Sequence, residues 1–155
     1  MQDPGIVWVE HVPFGETLAK VTGSKYYGAD GLAADGEFID DAFAGRSIIA
    51  SVKANREGRN LQKKWSRNLV TTPSEGADLW QQLIGRTHRT GQHASEVIVD
   101  VFLGCAEHVR AWRKAMIAAA NIRETVGSQS KLLMAEIDWP SEEEIESWSG
   151  PRWAK

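Results

Sequence analysis

Read by its apolar and polar positions, the chain alternates short uncharged runs with amphipathic stretches. Ile6-Val7-Trp8-Val9 is a continuous apolar run of the kind buried on both faces of a parallel sheet. Behind it, Phe14, Leu18 and Val21 recur at helical spacing and Gly23 supplies a stop, which predicts a helix from about residue 14 to residue 21. Lys25-Tyr26-Tyr27 reads as a short strand ahead of a loop, Gly28 to Gly36, rich in Gly, Ala and Asp. Glu37 to Ala44 reads as a helix closed by Gly45. The β-branched, uncharged stretch Ser47-Ile48-Ile49-Ala50-Ser51-Val52 predicts a strand. Asn60 to Trp65 reads as a short helix, and Asn68 to Thr72 as a strand stopped by Pro73. A helix is predicted over Ala77 to Arg89, with Leu79, Gln82, Leu83 and Arg86 at helical spacing, and a last strand over Glu96 to Leu103. Five strands with helical crossovers between them predict an α/β fold built on a parallel sheet.

A long amphipathic helix follows from Cys105 to about Thr125. Cys105, Val109, Trp112, Met116 and Ala119 mark one face; Glu107, Arg110, Arg113, Lys114, Arg123 and Glu124 lie on the other, and Gly127 ends it. The expectation is a helix packed on the sheet edge. Further on, Ser141 stands as an N-cap before Glu142-Glu143-Glu144, with Trp148 and Trp153 in a Gly/Pro context. This divides the chain into a lobe over 1–135 and a tail or short capping helix over 136–155.

Composition narrows the class. With 155 residues, 42% hydrophobic and 25% charged, the chain has room for one ordinary domain and is neither fibrous nor disordered in type. The longest apolar run, Ala115 to Ala120, falls far short of the about 20 residues of a membrane span, and no signal peptide is read at the start. The single Cys105 makes neither an internal disulfide nor a cysteine-based zinc site, and His11, His93 and His108 show no ligand spacing, so no metal site is expected. The expected setting is a reducing cytoplasm, with no membrane partner.

Charge changes the picture more. Residues 1–45 hold two Lys/Arg and eight Asp/Glu, residues 46–92 nine and three, and residues 93–155 seven and ten, giving balances of −6, +6 and −3. A basic block between acidic flanks suits an anionic partner such as phosphate, and it is equally the composition of a solvated face with no ligand. Trp65 and Trp80 flank the block and could stack on bases, although aromatic residues at helical spacing more often bury.

The most informative string is Gln82-Leu83-Ile84-Gly85-Arg86-Thr87-His88-Arg89-Thr90-Gly91-Gln92. Two arginines three residues apart on a helix share a face. Guanidinium groups keep their charge near neutral pH and offer forked donors that match phosphate oxygens, so such a pair can grip a γ-phosphate during its transfer. As a string it resembles motif VI of superfamily 2 helicases, in the form found in Swi/Snf-type translocases and related phage helicases. Ser51-Val52-Lys53-Ala54-Asn55-Arg56-Glu57-Gly58-Arg59-Asn60-Leu61-Gln62 resembles motif V. Gly5-Ile6-Val7-Trp8-Val9 resembles the strand of motif IV, and Tyr26-Tyr27-Gly28 the aromatic-Gly step after it. The similarity covers about residues 5–103.

The resemblance implies the second, C-terminal RecA-like lobe of an ATP-dependent DNA or RNA helicase. It implies that Arg86 and Arg89 reach ATP across an interlobe cleft, Arg89 being the arginine finger proper. Gly58, Asn60, Gln82 and Gly85 are implied on the nucleotide side, and Ser51 and Lys53 on the nucleic-acid backbone. A hydroxyl and an ammonium just past a strand's carboxyl end suit that last role, while Ser51 alone is also an ordinary strand-end turn residue. His88 is expected to pack or hydrogen-bond, with no acid–base task.

The departures are informative too. No Gly-x-x-x-x-Gly-Lys-Ser/Thr occurs, and no apolar strand ends in an Asp-Glu pair to hold magnesium. ATP and magnesium are therefore expected mainly on a first lobe, carried by another chain or a missing part of the gene. Thr71-Thr72-Pro73-Ser74-Glu75-Gly76-Ala77-Asp78 lacks the Trp-Asn-Pro stretch usual in Swi/Snf-type proteins, which makes a phage-type helicase, acting in the host cytoplasm, the nearer likeness. The alternative to a half-motor is a non-catalytic module that binds nucleic acid or regulates a helicase.

Overall fold

The apolar runs assemble into a single parallel sheet in a computed structural model of the chain, which describes residues 3–53, 59–127 and 131. The strands are β1 (Ile6–Val9), β2 (Tyr26–Tyr27), β3 (Ile48–Ser51), β4 (Arg67–Val70) and β5 (Ile98–Val101), in the order β2-β3-β1-β4-β5. Ile6 pairs with Ile48 on one side and Asn68 on the other, Val9 pairs with Ser51, and Arg67 pairs with Ile98. The first strand thus lies at the centre, and its run of uncharged residues is what a strand covered on both faces requires. The α-helices are α1 (Val12–Thr22), α2 (Ala77–Thr87) and α3 (Ala106–Val126). This is the α/β fold expected from the alternation of runs.

Two helical faces differ from their predicted ones. On α1, Phe14 is 47% exposed and Val21 80% exposed, while Gly15 is buried. A Cβ on Gly15 would meet the Tyr26 ring at 2.6 Å and Val9 at 2.9 Å, so α1 approaches the sheet through a glycine, which carries no hydrophobicity for periodicity to detect. On α2 the buried positions are Ala77, Trp80, Leu83, Ile84, Arg86 and Thr87: of the predicted face Leu83 and Arg86 are buried, while Leu79 and Gln82 are not, so the stripe is rotated part of the way from the predicted one.

The predicted helix over 37–44 is replaced by a single 3-10 turn, Ile39–Asp41. Its carbonyls are used elsewhere. The Lys64 ammonium donates to the carbonyls of Asp40 and Ala42, and Arg59 pairs with the Asp40 carboxylate. With those acceptors occupied, the segment buries only Ile39 and Ala42, and Phe38 and Phe43 remain exposed. Asn60 to Trp65 likewise contracts to a 3-10 turn, Leu61–Lys63.

The described residues group into two units. One comprises the chain up to Thr72 together with Gln82–Val101 and holds the whole sheet. The other comprises Pro73–Gln81 and the residues from Phe102 onward. In it, Trp80 meets Trp112 edge to face at 4.4 Å between centroids, its indole N–H donates to the Ser74 carbonyl at 2.8 Å, and Lys114 pairs with Glu75 at 2.9 Å. Val109, Trp112, Ala115 and Ala119 form the buried stripe of α3, close to its predicted face. The expected tail over 136–155 lies outside the described residues.

Within the sheet unit a buried polar network joins three strands to α2. Asn68 is 0% exposed. Its Oδ1 accepts the Trp8 indole N–H at 3.0 Å, and its Nδ2 donates to Thr87 Oγ1 at 2.9 Å and to the Ile98 carbonyl at 3.3 Å. Every polar atom of the carboxamide is engaged, which is the condition for a buried polar group to be tolerated. Asn68→Ala orphans the Trp8 N–H and opens a hole beside it. We expect a loss of about 3 kcal/mol in urea unfolding; a loss below about 0.5 kcal/mol shows the network to be unimportant.

Both tyrosines of the chain have pKa values above the ordinary one. Burial is the main cause in each; the Asp35 charge adds to it at Tyr27, while the Ser51 side chain opposes it at Tyr26. The folded state therefore holds these protons more tightly than the unfolded chain. Their contribution to stability is complete below about pH 10 and is lost as pH rises through the raised values. Tyrosinate absorbance should show native midpoints above the unfolded one, with a melting temperature that falls over the same range. Equal midpoints in native and unfolded protein contradict this.

Candidate functional site

Helix α2 stops at Thr87, two residues earlier than its sequence suggests. The side chain of Gln92 supplies the reason. Its Nε2 donates to the Thr87 carbonyl and to the Trp65 carbonyl, both at 3.0 Å, and its Oε1 accepts the Ala94 amide at 3.0 Å. A terminal helix carbonyl is thus satisfied by a side chain, and Gly91, at φ +92°, turns the chain away. Thr87 is held from the other side by Asn68.

This geometry separates the two arginines expected to share one helix face. Arg86 is on α2 and only 9% exposed, and it is not a free side chain. Arg89 stands beyond the helix, exposed on the 88–91 turn, where its Nη1 donates to Asn60 Oδ1 at 2.8 Å. The shared helix face is therefore corrected: Arg86 is buried on α2, and Arg89 is presented from the turn beyond it. Among the described residues the partner of Arg89 is a neutral amide, which leaves its positive charge unmatched there.

The segment opposite the turn belongs to the motif V-like string. Asn60 precedes the Leu61–Lys63 turn, and Gln62, buried within that turn, donates from Nε2 to the Thr90 carbonyl at 3.4 Å. The residue that caps this turn and the one at its middle therefore contact two successive residues of the 88–91 turn. The 59–64 segment is itself fastened to the loop before β3: Arg59 reaches the Asp30 carbonyl and the Asp40 carboxylate, and Lys64 the carbonyls of Asp40 and Ala42.

Of the other expected site residues, Gln82 is exposed and engaged in a contact of its own, and Gly85 is half-buried within α2. Gly58 lies outside the described residues. Ser51 is buried at the end of β3, where its side chain interacts with Tyr26, so it presents no hydroxyl to solvent. Lys53 is exposed, 3.2 Å from Glu10. Trp65 and Trp80 are both buried, which excludes them as stacking platforms. Among the described residues, three of the nine cations of the basic block are matched from within: Lys53 with Glu10, Arg59 with Asp40 and Arg67 with Asp100.

Sequence reading missed Gln62, Asn68, Thr87 and Gln92 as organisers of this site. The two glutamines lie inside the strings already singled out, but their weight comes from contacts 27 and 28 residues away in the chain. The available signal was a carboxamide beside Leu61 and another just after Gly91, polar groups bordering buried positions.

Among the described residues, no helix is long and apolar enough to cross a membrane. No family model matches the chain, and no curated protein matches it. Among solved structures, the chain is similar to one described as the C-terminal part of the Fun30 ATPase domain, with a TM-score of 0.56 and 21% sequence identity over 74% of this chain. The chain spans 39% of that structure's length. The likeness shows the fold: a RecA-like α/β arrangement, a five-stranded parallel sheet flanked by helices.

Proposed function

We propose that this chain is the second RecA-like lobe of an ATP-dependent DNA or RNA helicase or translocase, with Arg89 as its arginine finger. The observation that carries this reading is the state of Arg89: exposed, on a turn anchored by Asn68, Thr87 and Gln92, and bonded to a neutral amide. A guanidinium held by a neutral amide gives up that contact readily to an anionic oxygen, which adds a Coulombic attraction that the amide lacks. The structural neighbour is part of an ATPase domain, which supports the same reading.

Each residue then has a task. Arg89 stabilises negative charge that spreads over a transferring phosphoryl group. Arg86, buried at the end of α2, shapes the base from which Arg89 projects and adds a fixed positive charge. Gln82 and Gly85 hold α2 against the nucleotide, and Asn60 with Gly58 links that side to the nucleic-acid track. Lys53 takes a backbone phosphate in exchange for Glu10, and Ser51 serves as a buried support for the end of β3. Bound ATP supplies the phosphoryl group and magnesium neutralises its oxygens; the cradle and magnesium carboxylates belong to a first lobe on another polypeptide or elsewhere in the gene. The missing Trp-Asn-Pro stretch is the feature that favours a phage-type motor.

The rival reading, a stand-alone nucleic-acid-binding or regulatory module, needs a free basic surface. The internal pairing of Lys53, Arg59 and Arg67 reduces that surface.

Alone, the chain should hydrolyse no ATP and show negligible gel shifts with DNA or RNA. With the cognate first lobe, hydrolysis stimulated by nucleic acid should appear. Arg89→Ala should lower its kcat by about 1,000-fold or more, with circular dichroism unchanged. A mixture containing Arg89→Ala that works at the wild-type rate contradicts the assignment, and tight, salt-sensitive binding by the isolated chain favours the module.

A further inference from the structure

Gln62 combines features that do not belong to ordinary core packing. Its side chain is 6% exposed, yet its Oε1 has no hydrogen-bond partner among the described residues. Among the described residues its Nε2 makes one hydrogen bond, to the Thr90 carbonyl, at a distance beyond the usual range for such bonds. A buried carboxamide so poorly satisfied is costly, and a leucine or methionine of similar size would fill the place without that cost. The carboxamide lies directly under the turn that carries Arg89: a Cβ on Gly91 would stand 3.8 Å from its Nε2. Rotating the amide to satisfy its oxygen elsewhere would turn that oxygen toward the Thr90 carbonyl, where two acceptors repel. Its orientation is therefore set by the turn.

We infer that Gln62 is a positioning residue for Arg89, holding Thr90 in place while Arg89 exchanges the Asn60 amide for a phosphate oxygen. This rests on the reading of Arg89 as the finger. The division of labour follows from the two contacts. Asn60 binds the mobile end of the Arg89 side chain at 2.8 Å, and Gln62 binds the backbone one residue further on. When the guanidinium leaves Asn60, the Thr90 contact is what keeps the turn from leaving with it. The contact is long, so the turn is steadied without being locked. A misplacement of about 1 Å at such a group is enough to cost about 100-fold in rate.

The test reads position and rate separately. In the isolated full chain, arginine side-chain NMR reports the rotation of the Arg89 guanidinium, its signal identified by its loss in Arg89→Ala. Wild type should show restricted rotation. Gln62→Leu should release it at an unchanged melting temperature. With the first lobe, Gln62→Leu should lower kcat about tenfold or more while KM for ATP moves by less than about twofold. An Arg89 signal in Gln62→Leu identical to wild type overturns the inference even if Arg89→Ala abolishes hydrolysis. A harmless Arg89→Ala overturns the finger assignment instead, whatever the NMR shows. If Gln62→Leu fails to fold, Gln62→Met replaces it. If neither folds, amide exchange at the Gln62 side chain of wild type decides: protection supports the contact with Thr90, and exchange at the solvent rate overturns it.

Discussion

One buried carboxamide organises the functional end of this molecule. Asn68 sits on a strand next to the central one and bonds at once to Trp8 on β1, to the Ile98 carbonyl on β5 and to Thr87 at the last turn of α2. A polar group in a desolvated core tolerates few alternative arrangements, because each displaced bond leaves an orphan. The apolar stripe of α2 could slide or rotate by a fraction of a turn with little change in buried area. Asn68 and Thr87 cannot. The helix end is thereby registered to the sheet, and the 88–91 turn is placed with it.

That turn has its own fastenings. Gln92 caps the helix carbonyl, Gly91 reverses the chain, and the Asn60–Gln62 pair meets Arg89 and Thr90 from below. The outer cations are treated differently. Lys53, Arg59 and Arg67 are paired with carboxylates, whereas Arg89 faces an uncharged amide. Exposed ion pairs of that kind contribute little stability, about 0–1 kcal/mol each. Their consequence is electrostatic: they reduce the net charge around the exposed Arg89 guanidinium.

The sheet was legible because uncharged runs such as Ile6–Val9 and Ile48–Ser51 have one physical reading once crossovers separate them. Arg89 was legible as a residue type in a recognisable string, but not in its placement. Periodicity carried α2 through to Arg89, whereas a side chain five residues past Thr87 ends the helix, and no local propensity encodes that cap. The face of α1 was misread for a related reason: a glycine contact with Tyr26 sets its approach, and a glycine adds nothing to a hydrophobic pattern. The helix expected over 37–44 failed because Lys64, more than 20 residues away in the chain, takes its carbonyls. Local signals predicted the elements, and long-range polar contacts set where they end.

The central claim is that this registered turn delivers Arg89 to a triphosphate held by another lobe. The most direct measurement is a structure of the chain assembled with its first lobe, nucleic acid and magnesium ADP–aluminium fluoride, the fluoride standing in for the phosphoryl group in transfer. The Arg89 guanidinium is then expected within hydrogen-bonding distance of the fluoride, released from Asn60, with Asn68, Thr87 and Gln92 keeping their present contacts. Arg89 still bonded to Asn60, and pointing away from the nucleotide in that assembly, contradicts the claim.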